Sequence, residues 1–92
     1  MTERIVLADR LDTAGAVALA AELSRAPVDG HVILDATGVT HFGAQAVQVV
    51  ISAAKTLKGG GGTLECSGIS DRAATHLAAM GLSFDEIPEG VQ

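Results

Sequence analysis

The stretch from Ser70 to His76 contains the residue types of a hydrolase triad. Ser70, Asp71 and His76 are the types that serve as nucleophile, orienting acid and base in acyl transfer. Their order and spacing on one predicted helix cannot bring them into a chain of nucleophile, base and orienter. Ser70 as a helix N-cap, followed by Asp71 in the first turn, explains the pattern better. We therefore assign no catalytic residue here.

The remaining histidines and the single cysteine suggest little chemistry. His41 could act as a general base or accept a phosphoryl group. No carboxylate or nucleophile lies at motif spacing, so a structural or exposed histidine is favoured. His31 and His76 do not have the spacing of a zinc site. Cys66 is alone, which favours a buried structural thiol over a redox role. We expect no metal and no cofactor.

The segment "VTHFGAQAV", Val39 to Val47, predicts a strand that runs into a helix through small residues and glutamine. Such junctions often carry the chemistry of α/β domains. Here no nucleophile, acid, base or metal ligand stands between Phe42 and Val47. Gln45 and Gln48 are three apart and share a helix face. They are either exposed amides or a neutral hydrogen-bonding surface for a partner.

Two aspartates could lie near this junction in the folded chain. Asp12 and Asp35 could form an acidic edge if their strands lie side by side. The favoured interpretation is local: Asp12 caps a helix, and Asp35 accepts hydrogen bonds from loop amides.

Composition limits the partners. The chain has 92 residues and a formal net charge of −5, with six Lys and Arg residues. This size predicts a single domain over residues 1–92. Nucleic acid and anionic membrane surfaces are poor partners, because they require clustered positive charge. With no signal peptide and no apolar run of about 18 residues, we expect a cytoplasmic protein without membrane insertion.

Hydrophobic periodicity predicts alternating strands and helices. Strands are predicted at Arg4–Ala8, His31–Val39, Thr63–Gly68 and Ser83–Ile87. Helices are predicted after Asp12 or Thr13 up to Pro27, from Gly43 to the run Gly59–Gly62, and from an N-cap at Ser70 to a C-cap at Gly81. This order predicts an α/β fold, with a mostly parallel four-stranded sheet and helices packed against it.

The segment from "VILDATGVTHFGAQAV" to "THLAAMGL", roughly Ile33 to Leu82, resembles the STAS domain of bacterial anti-sigma-factor antagonists. "RLDTAGAVALAAEL" also fits the first helix of that family. The family opens its next helix with Asp-Ser-Ser-Gly or Asp-Ser-Ala-Gly. In this sequence the acid falls on Gly43, the phosphorylatable serine on Ala44, the next small residue on Gln45 and the glycine on Ala46. The whole reactive motif is replaced.

The resemblance implies a docking module whose serine phosphorylation abolishes binding, and only the docking half carries over to Ala44. We expect a switch fixed in the binding state, or a partner that never used the switch. The expected partner is a histidine-kinase-like anti-sigma factor or another signalling protein, and homo-oligomerisation stays open. The alternatives are a STAS subunit of a lipid-transport ABC complex and a small-ligand-binding α/β domain with its pocket at the strand ends. The expected partner-binding residues are Thr40, His41, Gly43, Ala44, Gln45 and Gln48.

Overall fold

The computed structural model describes residues 2–84, which form one α/β unit with five strands and three helices. The strands are β1 (Thr2–Val6), β2 (Arg10–Leu11), β3 (His31–Ala36), β4 (His41–Phe42) and β5 (Thr63–Ile69). The helices are α1 (Thr13–Ser24), α2 (Ala44–Gly59) and α3 (Asp71–Ala79). Within residues 2–84, no helix combines the length and the apolarity that crossing a bilayer requires.

The main sheet has three parallel strands in the order β1-β3-β5. The prediction of a parallel sheet is confirmed, but its strand number of four is wrong for the described residues. Of the fourth predicted strand, Ser83 and Phe84 are not in a strand, and Asp85–Ile87 lie outside the described residues. The predicted strand His31–Val39 also ends early, at Ala36. The Asp35 carboxylate accepts hydrogen bonds from the Thr37 amide and hydroxyl, at 3.0 and 2.7 Å, and turns the chain.

The segment beyond that turn forms a second, separate sheet. β2 and β4 are two residues long and pair in parallel, with Leu11 opposite Phe42. The amides of His41 and Gly43 donate to the carbonyls of Asp9 and Leu11, at 3.2 and 3.0 Å. The chain after Val39 therefore pairs with β2 instead of extending the main sheet.

One face of the main sheet carries the core. Side chains alternate along a strand, and Val32, Leu34 and Ala36 of β3 are buried while the residues between them are more exposed. The helices α1 and α2 pack against each other, α2 lies on β5, and α3 lies on β4. The core is aliphatic apart from Phe42 and Phe84, whose rings meet edge to face with centroids 5.9 Å apart.

Local capping chemistry sets the helix ends. Asp12 Oδ1 accepts from the Gly15 amide at 3.0 Å, and Ser70 Oγ accepts from the Ala73 amide at 3.2 Å, as predicted. The C-cap of α3 is Met80, one residue before the predicted Gly81, which follows with a left-handed φ of +75°. Glycine adopts that conformation without the Cβ clash of other residues.

Candidate functional site

The N-termini of α1 and α2 open onto one shallow cavity of about 270 Å³. β2 leads directly into α1 and β4 leads directly into α2, so the pairing of these two strands sets the helix starts side by side. We call this space the docking cavity. It is lined by Leu11, Asp12, Thr13, His41, Gly43, Ala44 and Gln45.

The carboxylate in the docking cavity is engaged as a helix cap. Asp12 Oδ1 accepts a hydrogen bond from the Gly15 amide, and Asp12 Oδ2 lies 3.8 Å from Arg10 Nε. The hydrogen bond from Gly15 is the main cause that lowers the pKa of Asp12, and the charges of Arg10 and His41 add to it. Asp12 is therefore a capping anion, as the sequence favoured.

The start of α2 is bare of reactive side chains. Ala44 is the first residue of this helix and is exposed to solvent. Its N-cap, Gly43, supplies no side-chain hydrogen bond, and no acidic residue lies in the first turn of α2. A Cβ added at Gly43 would lie 3.0 Å from the Leu11 carbonyl oxygen, so an acid at this position needs a small shift of β2. The cavity thus has a helix start, an open surface and no nucleophile at Ala44.

A histidine from another part of the chain flanks the cavity. His76 Nδ1, on α3, accepts a hydrogen bond of 3.2 Å from the Phe42 amide. The His41 and His76 rings meet edge to face with centroids 5.1 Å apart. The sequence indicates no partner for His76, because the hydrogen bond between Phe42 and His76 joins residues 34 positions apart and no local pattern predicts it.

The serine, acid and histidine of α3 form no catalytic chain. Ser70 Oγ accepts a hydrogen bond from the Ala73 amide and donates one to the Val39 carbonyl, whereas His76 accepts a hydrogen bond from the Phe42 amide. Asp71 occupies the first turn of α3. Across residues 2–84 no cluster of three or more His, Cys, Asp or Glu side chains is arranged to hold a metal ion.

Other predicted residues lie around or away from the cavity. Thr40 is exposed, and its hydroxyl donates to the Asp9 carbonyl at 3.0 Å. Asp35 does not line the docking cavity. It belongs to the main sheet, where the hydroxyl and amide of Thr37, followed by Arg4, lower its pKa from 3.8 to about 2. The acidic edge considered for Asp12 and Asp35 is therefore not formed.

A second cavity of about 420 Å³ lies between α1 and α2. Gln48 faces this groove, whereas Gln45 faces the docking cavity, so the two glutamines border adjoining spaces. The groove is apolar or neutral throughout, and its lining contains no charged side chain. Sequence patterns did not predict it, because its position depends on the distance between two helices.

The fold agrees with the comparison to known families. The family model described as "Mlab, STAS domain" matches residues 2–85. No curated protein and no solved structure matches the chain. The matched range contains β1 to α3 and every residue of the docking cavity. The chain belongs to the STAS domain family.

Proposed function

We propose that this chain is a non-enzymatic protein-interaction module that works like an anti-sigma-factor antagonist without a serine phosphorylation switch. STAS domains are generally interaction and signalling modules. The docking surface consists of Thr40, His41, Gly43, Ala44, Gln45 and Gln48. One observation carries the proposal: Ala44 is exposed at the start of α2, inside an open cavity formed by two helix N-termini.

The chemistry of position 44 determines the kind of module. A phosphorylated serine carries about −1.5 to −2 charges and would break up a neutral interface. The methyl group of Ala44 has no oxygen to modify, so the surface stays in its binding form. The nearby hydroxyl of Thr40 already donates a hydrogen bond to the Asp9 carbonyl. Stoichiometric phosphorylation of Thr40 in cells, measured by mass spectrometry, would contradict a surface without a switch.

A binding experiment tests the docking surface. The tagged chain is expected to retain a histidine-kinase-like anti-sigma factor or another signalling protein. Ala44→Glu and Gln45→Glu place a charge in the contact without a matching partner charge, which costs several kcal/mol at an interface, so binding should weaken more than tenfold. Ala21→Glu is the control, since Ala21 is exposed about two turns along α1 from the cavity. Circular dichroism checks that each variant is folded.

The two outcomes are distinct. Loss of binding in Ala44→Glu with retention in Ala21→Glu supports the surface. Full binding by a folded Ala44→Glu variant overturns it, because Ala44 would then lie outside the contact.

A second candidate is a STAS subunit of a lipid-transport ABC complex that braces the ATPase. The description of the matching family model names Mlab, which supports keeping this candidate. Both candidates use the same surface and differ in the partner. Copurification with an ATPase subunit would favour the transporter, and copurification with a kinase-like regulator would favour signalling.

A further inference from the structure

We propose that His76 is a pH-sensitive tether that holds α3 on β4 when neutral and releases it when protonated. The consequence for partner binding rests on the function proposed above. The tether itself is a property of the isolated chain and is tested on that chain alone.

The tether arises because β4 has two edges and a single neighbouring strand in its sheet. The amides of His41 and Gly43 point toward β2: the first bonds to the carbonyl of Asp9, directly before β2, and the second to the carbonyl of Leu11 in β2. The amide of Phe42 points to the opposite edge, as alternate residues of a strand do. His76 Nδ1 takes the place of a strand carbonyl there, at 3.2 Å.

The protonation state of His76 decides whether this bond exists. An imidazole nitrogen accepts a hydrogen bond only when it carries no proton, so the bond to Phe42 requires neutral His76 with its proton on Nε2. In imidazolium both nitrogens are donors. A proton on Nδ1 sets two N–H groups against each other and leaves the Phe42 amide without its acceptor.

A second anchor of α3 does not titrate. The Ser70 hydroxyl donates to the Val39 carbonyl, and the Ser70 amide donates to the Ala36 carbonyl at 3.1 Å. The start of α3 is therefore bound to the chain before β4, and His76 binds its last turn to β4 itself. Acid weakens the second attachment and spares the first, so α3 loosens at its C-terminal end.

The charged and titratable groups around His76 come from several elements. His41 of β4 faces it directly, with ring centroids 5.1 Å apart. Asp12, at the start of α1, interacts electrostatically with His41 and with Arg10 of β2. On α3 itself, Arg72 lies one turn before His76. The first turn of α2 carries no charged side chain. Protonation of both histidines would place like charges side by side and favour the same release.

Nuclear magnetic resonance of the wild-type chain between pH 8 and 5 tests the tether directly. Hydrogen exchange of the Phe42 amide is measured after correction for the intrinsic rate, with the ¹⁵N shift of His76 Nδ1 as the titration signal. Protection of the Phe42 amide should fall about fivefold, the loss expected for one net hydrogen bond, and should follow the titration of His76. Constant protection across that titration would overturn the proposal.

Two variants separate this tether from general acid sensitivity. His76→Gln offers a carbonyl oxygen that takes up no proton in this range, so protection of Phe42 should become independent of pH. His31→Gln is the control, because His31 lies at the start of β3 beside Thr63 and should leave the wild-type response unchanged. A wild-type response in His76→Gln would assign the effect to another group and reject the tether.

Partner binding is measured separately. Between pH 8 and 5, affinity for the retained partner should fall about fivefold more in the wild type than in His76→Gln, if the whole loss of one hydrogen bond reaches the docking surface. The comparison is between the two chains because both keep His41 on that surface. An unchanged wild-type affinity, with the Phe42 response present, would show that the tether does not control docking. If Ala44→Glu keeps full binding, the proposed docking surface is rejected. The response of the Phe42 amide in the isolated chain then still supports or rejects the tether, so the two proposals fail separately.

Discussion

Asp12 and Asp35 both lie near the carboxyl end of a strand, yet they act in different parts of the fold. Asp12 caps α1 at the docking cavity, and Asp35 shapes the turn after β3 and pairs with Arg4 at 2.9 Å. The pKa of each is lowered because the charged form accepts hydrogen bonds. Their difference is one of location, which only the pairing of the strands establishes.

Asp35 makes a prediction about acid stability. Its pKa in the folded chain is about 2, below the ordinary value of 3.8, so its stabilising contribution is present above pH 3.8 and is lost as the pH falls through that value toward 2. The urea midpoint of the wild type should therefore drop more steeply between pH 4 and 2 than that of Asp35→Asn. Part of the drop should remain in the variant, because the pKa of Asp12 is also lowered.

The control for this experiment is Asp29→Asn, which changes an exposed aspartate in the turn before β3. It should follow the wild type. Equal slopes for the wild type and Asp35→Asn would show that the bonds from Thr37 do not distinguish the charged carboxylate from the neutral one.

At the scale of the elements, α3 has only nine residues and depends strongly on its N-cap, Ser70. The Ser70 hydroxyl both accepts a hydrogen bond from the Ala73 amide and donates one to the Val39 carbonyl, so it caps the helix and attaches it to the chain just before β4. Isolated helices of this length are marginal in water, and α3 persists through its caps and its buried face. Ala73 and Leu77 form that face.

Ser70→Ala should lower the free energy of unfolding by about 1 to 2 kcal/mol, the upper range for an N-cap, because two hydrogen bonds are lost. Chemical denaturation at neutral pH measures the change. Thr75→Ala is the matched control: its exposed hydroxyl donates within α3 to the Asp71 carbonyl, and its removal should cost less than about 0.5 kcal/mol. A similar loss in both variants would show that Ser70 is an ordinary surface hydroxyl.

These elements also show which features sequence reasoning can find. The caps at Asp12 and Ser70 were predictable because capping is a matter of three or four neighbouring residues. A strand leading into α2 is also predicted within Val39–Val47, and β4 lies in that segment. The strand β2 is not predicted, since two residues have no periodicity, and no local pattern indicates that β4 pairs with β2 instead of extending the main sheet. The bond from Phe42 to His76 depends on how α3 docks on β4. The resemblance predicts that Ala44 lies at the start of a helix. That the start of α1 faces the same cavity follows only from the three-dimensional fold.

At the scale of the whole molecule, the main sheet has two very different faces. Parallel sheets are usually covered on both sides. Here α1 and α2 lie with the buried side, whereas the other side presents Arg4, Asp35 and Glu65 in neighbouring strands. These charged side chains make the outer face compatible with water.

Two matched substitutions test this difference between the faces. Val6 of β1 is 70% exposed, and Val32 of β3 is 1% exposed. Valine to threonine keeps the shape and adds a hydroxyl, so Val6→Thr should change the free energy of unfolding by less than about 0.5 kcal/mol. Val32→Thr buries the hydroxyl in an aliphatic core and should cost about 1 to 3 kcal/mol. Chemical denaturation at two protein concentrations measures both. A comparable loss in Val6→Thr, growing with protein concentration, would mean that a second copy covers the outer face in solution.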